Sequence, residues 1–292
     1  MRVAVIGLGL MGGTIAGHLL DDGHVVTGYD PEPDRRAELT ERGGVAADSI
    51  GDAIAQASVA ILSLPNSSIM LDIIPEIAEA AGQGLIVVDT TTGAPADSIK
   101  AAGQLADAGI AYTDATISGN AAQTAEKDII FMLGATPEVA STIAGLLHPM
   151  CRNVYHVGSI GAGSRTKLVV NHILSINRVA IAEGLAVAEK AGLDLAPVLE
   201  VLKDSAAYSK AMDIWGDRMV EGDYYPPKSR VRQSHKDARL IRDHATELGA
   251  SIELQTKVRE ELEEAESGGL SDADNASVME VMRRRAGIGR LP

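Results

Sequence analysis

Over roughly the first 160 residues, short runs of aliphatic and β-branched residues alternate with stretches whose apolar positions recur at helical spacing. The runs RVAVIGL (2–8), HVVTGYD (24–30), GVAA (44–47), VAILSLP (59–65), LIVVDT (85–90), AYTDAT (111–116), IIFMLG (129–134) and VYHVG (154–158) predict strands. Helical spacing falls between most of them, as in MLDIIPEIAEAA (70–81) and APADSIKAAGQLADAG (94–109). Continuous apolar strands separated by helices predict a parallel sheet covered on both faces. After GSIGAGS (158–164) the texture changes. The proline-free stretch RTKLVVNHILSINRVAIAEGLAVAEKAG (165–192) predicts one long helix with Gly192 as its C-cap. From Leu193 onward only helical patterns follow, interrupted at GDYYPPKSR (222–230), and there is no internal repeat or low-complexity segment. The expectation is an α/β, doubly wound domain over 1–162 and an all-α domain over 163–292, with 163–192 as a long interdomain helix.

The stretch VAVIGLGLMGGTIAGHLL (3–20) sets Gly7-x-Gly9-x-x-Gly12 between a strand and a helix. Glycine costs about 0.5–1 kcal/mol relative to alanine inside a regular element, so each of the three needs a reason. The first permits a tight turn, the second lets a pyrophosphate approach the backbone, and the third lets the helix pack on the strand. The helix N-terminus then offers N–H groups and positive potential to the phosphates. Leu8, Leu10 and Met11 belong to the same turn, and Asp30 closes the second strand where an acid binds the adenosine ribose hydroxyls. This is the signature of a Rossmann-type dinucleotide domain. A carboxylate at Asp30 repels a 2′-phosphate and favours NAD, while Arg35 and Arg36 keep NADP as the alternative.

Composition narrows the partners. A chain of 292 residues exceeds the usual single domain, and at 46% hydrophobic but 3% aromatic its core must be aliphatic. The formal net charge of −14 repels phosphate backbones and anionic lipid, so neither nucleic acid nor a membrane is expected as a partner. The basic cluster Arg283–Arg285 suits a helix C-terminus. Cys151, the single cysteine, can form no intrachain disulfide and is expected to be a packed thiol. A first strand at residue 2 leaves no place for a leader, and no 18-residue uncharged apolar run exists, so a soluble cytoplasmic protein is expected. His18, His148 and the other histidines show no metal-ligand spacing, so no metal is expected.

Four further stretches, with the opening turn, resemble the β-hydroxyacid dehydrogenase family, which includes 3-hydroxyisobutyrate dehydrogenase and the cofactor domain of 6-phosphogluconate dehydrogenase. GLGLMG (7–12) matches its GLGxMG, DTTTGAP (89–95) its DxSTxxP, DATISGN (114–120) approximates its DAPVSGG, and GAGSRTKLVVN (161–171) matches its GxGxxxKxxxN. KDARLI (236–241) partly meets its KDLxLA, and AEGLAVAEKAGLD (182–194) has its texture. The resemblance spans the chain nearly end to end. It implies that Lys167 is the general acid/base and that Asn171 binds substrate or orients the lysine. The spacing is compatible, since i and i+4 share a helix face. A lysine serves as acid/base only if its pKa falls from about 10.4 toward neutrality. Lys236, on the cofactor side, is a cation that could lower it. The resemblance further implies that Ser118 and Gly119 hold the substrate carboxylate and that Leu64, Pro65 and Thr92 line the nicotinamide end. It also implies a homodimer or homotetramer.

The chain departs from the family pattern at Asn120, where a second glycine is usual, at His172, and at Arg239. Arg230, Arg232, Gln233 and His235 stand where relatives are more apolar. An added amide at Asn120 and a bidentate donor at Arg232 suggest a small hydroxy-acid or semialdehyde substrate more polar than 3-hydroxyisobutyrate. The expected activity is interconversion of a 3-hydroxy acid and its semialdehyde or keto form by hydride transfer. The alternatives are an imine reductase-like enzyme of the same fold, which Lys167 argues against, and a non-catalytic dinucleotide-binding protein.

Overall fold

Each of the eight apolar runs forms a strand in the computed structural model, which describes residues 1–289. They are β1 (Arg2–Ile6), β2 (Val25–Tyr29), β3 (Val45–Ala46), β4 (Val59–Leu62), β5 (Ile86–Asp89), β6 (Ala111–Ser118), β7 (Ile130–Gly134) and β8 (Asn153–Gly158). They join in one sheet in the order β3-β2-β1-β4-β5-β6-β7-β8. Between them run α1 (Leu10–Asp21), α2 (Pro33–Glu41), α3 (Ile50–Ile54), α4 (Ser67–Ala80), α5 (Pro95–Asp107), α6 (Ala121–Ala125) and α7 (Pro137–Leu147). Side-chain alternation along β1 sends Val3 and Val5 to one face, against Ile15 and Leu19 of α1 and Ile143 and Leu147 of α7. Ala4 and Ile6 face the other way, against Ile54 of α3, Ile74 and Ile77 of α4 and Leu105 of α5. Both faces are covered, which is why the strands read as unbroken apolar runs.

The sheet is not wholly parallel. β7 runs antiparallel to β6, with Ser118 opposite Ile130 and Asp114 opposite Gly134, whereas β7 and β8 are parallel. A parallel return needs a crossover of about a dozen residues or more, usually containing a full helix. The connection 119–129 holds only the short α6, so the chain turns back beside the strand it has left.

The chain divides into two compact units between Lys167 and Leu168, inside the long helix α8 (Ala162–Lys190) and a few residues beyond the 162/163 boundary read from the sequence. Gly192, with φ +77°, ends the helix as its spacing predicts. The second unit is all-α: the rest of α8, then α9 (Leu195–Asp204), α10 (Asp217–Glu221), α11 (Val231–Leu248), α12 (Glu253–Ser267) and α13 (Val278–Arg285). Its core gathers Val179 and Leu185 of α8 with Leu199, Trp215, Met219, Leu262 and Met279. Each such buried side chain contributes about 1.5–3 kcal/mol relative to exposure. Among the described residues α8 is the one helix long and apolar enough to cross a membrane, with a mean hydropathy of 1.2 in its best window. Part of that apolarity is used in the core of the second unit, where α8 also buries Arg178 over the Trp215 ring at 5.3 Å.

The arginine cluster does close α13, but Arg283 is more than a terminal charge. It is buried and donates to Glu189 and Glu280, both at 2.8 Å. Cys151 is half-buried and its thiol donates to the Leu147 carbonyl at 3.2 Å, with burial pushing its pKa up.

Candidate active site

The turn after β1 is shaped by its glycines in three different ways. Gly7 has φ +90°, and a Cβ there would fall 2.3 Å from the Ser63 carbonyl oxygen. A Cβ on Gly12 would fall 1.9 Å from the Gly7 carbonyl oxygen, so the start of α1 lies directly against the turn. Gly9 has no atom within 4 Å of where a Cβ would stand. That open space over bare backbone is what a pyrophosphate needs. Gly9 also precedes α1 without a side-chain cap, so no side chain competes for the first-turn N–H groups. A cavity of about 190 Å³ opens here, lined by Leu8, Gly9, Leu10, Thr14 and Arg35 among others.

Asp30 accepts from the Leu8 N–H at 2.7 Å and from the Glu32 N–H at 3.0 Å, which fixes its carboxylate beside the glycine turn. Arg36 donates to the main-chain carbonyl of Asp30 at 2.5 Å, and Arg35 pairs with Glu38 at 3.0 Å. Both arginines therefore have protein partners.

The other positions of the first unit gather at the carboxyl ends of the parallel strands, where open α/β sheets bind ligands. Leu64 and Pro65 follow β4, and the Leu64 N–H donates to Thr91 Oγ1 at 3.2 Å; Thr92 follows β5. Ser118 ends β6, and Gly119, at φ +145°, has its Cβ position blocked by Ile129 at 2.4 Å. Asn120 turns out to be the N-cap of α6. Its Oδ1 accepts from the Gln123 N–H at 2.9 Å while Gln123 Oε1 accepts from the Asn120 N–H at 3.1 Å. The oxygen of the added amide is thus engaged in a capping box.

Lys167 stands in the second turn of α8, and the first turn is anchored to the sheet. The buried Asp114 carboxylate accepts from the N–H of Gly161 and of Ser164, both at 2.7 Å. Thr116 Oγ1 donates to the Gly163 carbonyl at 2.9 Å, and the Ser98 and Ser164 hydroxyls meet at 3.0 Å. A Cβ on Gly163 would stand 2.5 Å from the carbonyl oxygens of both Asp114 and Met132. The GAGS sequence is therefore a close-packing device that lets α8 start against β6 and β7. Asp114 lies in register with Asp89, the last residue of β5, so α8 begins at the ligand-binding edge of the sheet. Neither aspartate's structural task was foreseen, although both open motifs already quoted.

Asp89 is also buried. It accepts from the Tyr112 hydroxyl at 2.8 Å and the Thr91 N–H at 2.9 Å, yet desolvation raises its pKa to about 6. A carboxyl raised from 3.8 in the folded state makes a contribution to stability that is greatest when protonated and declines as pH rises from about 4 to about 6. The shift corresponds to about 3 kcal/mol. Asp89→Asn should remove this slope, so the difference in unfolding free energy between wild type and variant should move in the variant's favour across that window. Urea denaturation at pH 4, 5, 6 and 7 checks it; a constant difference contradicts it.

In the second unit, Asn171 Nδ2 donates to Asp237 at 3.0 Å, and Lys236 pairs with the same carboxylate at 3.4 Å. Asp237 is a partner that sequence reasoning passed over, although it stands inside the KD motif. Arg232 and Arg230 are half-exposed and both pair with Asp272, at 3.1 and 3.6 Å. His235 is buried against Glu266 at 2.7 Å, so it belongs to the packing of α11 on α12. Among the described residues no group of His, Cys, Asp and Glu could hold a metal ion.

A doubly wound sheet with an open glycine turn and a carboxylate fixed beside it has the architecture of a dinucleotide-binding domain. Comparison with known proteins makes the class specific. Residues 2–158 match the NAD binding domain of 6-phosphogluconate dehydrogenase, and residues 161–282 match the NAD-binding domain of NADP-dependent 3-hydroxyisobutyrate dehydrogenase. The 3-hydroxyisobutyrate dehydrogenase of Pseudomonas aeruginosa is 33% identical over 88% of this chain and 89% of its own length. The 2-(hydroxymethyl)glutarate dehydrogenase of Eubacterium barkeri is 26% identical over 99% of this chain and 97% of its own. A structure of the Mycobacterium tuberculosis 3-hydroxyisobutyrate dehydrogenase with L-serine superposes with a TM-score of 0.89 at 25% identity, covering 97% of this chain and 99% of that one. The chain belongs to the β-hydroxyacid dehydrogenase family and is an NAD(P)-dependent oxidoreductase acting on hydroxyl groups of hydroxy acids.

Proposed function

We propose that this chain oxidises 2-substituted 3-hydroxypropionates to the corresponding semialdehydes, and reduces them in return, with NAD as the preferred dinucleotide and Lys167 as general acid/base. The observation that carries the reading is the anchoring of α8 by Asp114, which fixes the Lys167 backbone beside the carboxyl edge of the sheet. Three molecules named for the relatives support the substrate class. 3-Hydroxyisobutyrate, 2-(hydroxymethyl)glutarate and L-serine share a primary hydroxyl one carbon from a carbon bearing a carboxylate, and differ in what else that carbon carries.

In this reading the Ser118 hydroxyl and Gly119 N–H receive the carboxylate, and Lys167 Nζ accepts the proton of the hydroxyl as its C–O bond becomes a carbonyl. Nicotinamide, when bound, supplies the hydride acceptor or donor. In reduction Lys167 returns the proton to the carbonyl oxygen, so one residue serves both directions. Asn171 is one helical turn further along, with its amide nitrogen donating to Asp237. The Asp30 carboxylate beside the turn and the prior engagement of Arg35 and Arg36 favour NAD over NADP.

A panel of 3-hydroxy acids followed by nicotinamide absorbance tests the function. The three acids named should turn over faster than 2-hydroxy acids or cyclic imines, and the reverse order defeats the proposal. Because Arg232 already pairs with Asp272, an anionic substrate tail would have to displace that carboxylate. Arg232→Ala should therefore leave KM within about threefold on the panel, since exposed pairs contribute about 1 kcal/mol or less. A tenfold rise confined to dianionic acids would restore the more polar substrate suggested by the sequence. Cytoplasmic location and assembly into dimers or tetramers belong to the same proposal; the exposed Val169, Ile173 and Val187 of α8 support self-association.

A further inference from the structure

We infer that His18 is a positioning residue that fastens the substrate turn to the dinucleotide-binding helix. The inference rests on the proposed role of Ser118 and Gly119, which lead directly into α6. That helix has five residues, too few for stability of its own. Its inner side is fixed by Thr124, which is fully buried. The Thr124 hydroxyl donates to the Asn120 carbonyl at 2.9 Å and lies 3.5 Å from Met11 Sδ. The Thr124 carbonyl lies 2.8 Å from His18 Nε2. A carbonyl can only accept, so Nε2 must carry the proton, whichever state the ring is in.

Met11 and His18 are seven residues apart on α1, which is two helical turns and one face. The first belongs to the glycine turn. The same helix that receives the pyrophosphate therefore holds the segment that begins the carboxylate turn. The far end of the connection is tied separately, by Arg152 to Asp128 at 2.6 Å, and the Asn120–Gln123 capping box is internal to the segment. Neither fixes where α6 lies along α1. The His18–Thr124 bond does, with the longer Thr124 hydroxyl contact to Met11 Sδ beside it.

The test compares wild type, His18→Ala and His18→Gln, the last able to supply an N–H to the same carbonyl. In the dinucleotide-free protein, hydrogen–deuterium exchange of residues 119–126 should accelerate in His18→Ala and return toward wild type in His18→Gln. With the best hydroxy acid of the panel, His18→Ala should raise KM roughly 5- to 30-fold, the effect of leaving a buried carbonyl without its donor. Its kcat and the Kd for NADH should change by less than about threefold, because those groups lie elsewhere. His18→Leu, which fills the space but supplies no N–H to the carbonyl, should behave as His18→Ala and serves if His18→Ala does not fold. Equal exchange in wild type and His18→Ala overturns the inference. So does unchanged KM with faster exchange, or a loss of NADH binding that parallels the rise in KM. If no hydroxy acid turns over, the proposed function fails, and the exchange measurement still decides whether His18 holds the segment.

Discussion

Lys167→Ala should lower kcat by roughly 10²–10⁴-fold, the usual contribution of a positioned acid/base. This corresponds to about 3–5 kcal/mol of transition-state stabilisation. The Kd for NADH should stay close to wild type, because Gly7, Gly9, Gly12 and Asp30, which shape the dinucleotide site, do not involve α8. Lys167→Arg is the sharper variant. It keeps the positive charge and much of the length but cannot release a proton near neutrality. If position 167 acts through proton transfer, arginine should be nearly as damaging as alanine; if it acts through charge alone, arginine should retain most of the rate. Full activity in Lys167→Ala would refute the assignment.

The sequence was informative wherever a feature is local. Strand positions show as apolar runs because both faces of the sheet are covered, and Gly7-x-Gly9-x-x-Gly12 shows because Gly7 and Gly12 have no room for a Cβ while Gly9 keeps its backbone open. Features that depend on two distant segments did not show. The reversal of β7 follows from a connection too short to cross over, and that length is visible only once α6 is recognised as a single capped turn. The capping role of Asn120 is hidden for the same reason: an asparagine three residues before a glutamine is a capping box only if a helix starts there. Arg232 looked available because its partner Asp272 lies in a different segment of the chain. Asp114 and Asp237 sat inside recognised motifs, but the sequence gives no sign that one anchors α8 and the other holds Asn171.

Asp114 carries the second large effect. Asp114→Ala removes the acceptor of two buried N–H groups, Gly161 and Ser164, at the start of the helix that bears Lys167. Each orphaned donor costs about 1–3 kcal/mol, partly offset because burial already raises the Asp114 pKa and so penalises its charged form. A net loss of about 2–4 kcal/mol is expected, measured as the urea dependence of exchange for amides of the first unit. Activity should fall as well, by about tenfold or more, because an error of about 1 Å at a reacting group costs that much or worse. Stability and placement can be separated with Gly163→Ala. That substitution leaves Asp114 and both N–H groups intact but pushes a methyl group to 2.5 Å from the Asp114 and Met132 carbonyl oxygens, so the first turn of α8 must shift. If the anchor serves to place Lys167, Gly163→Ala should lose kcat with little change in NADH binding, and faster exchange should be confined to the start of α8. If both variants lose stability while the remaining folded protein keeps wild-type kcat, the anchor holds the fold only and Lys167 does not depend on it.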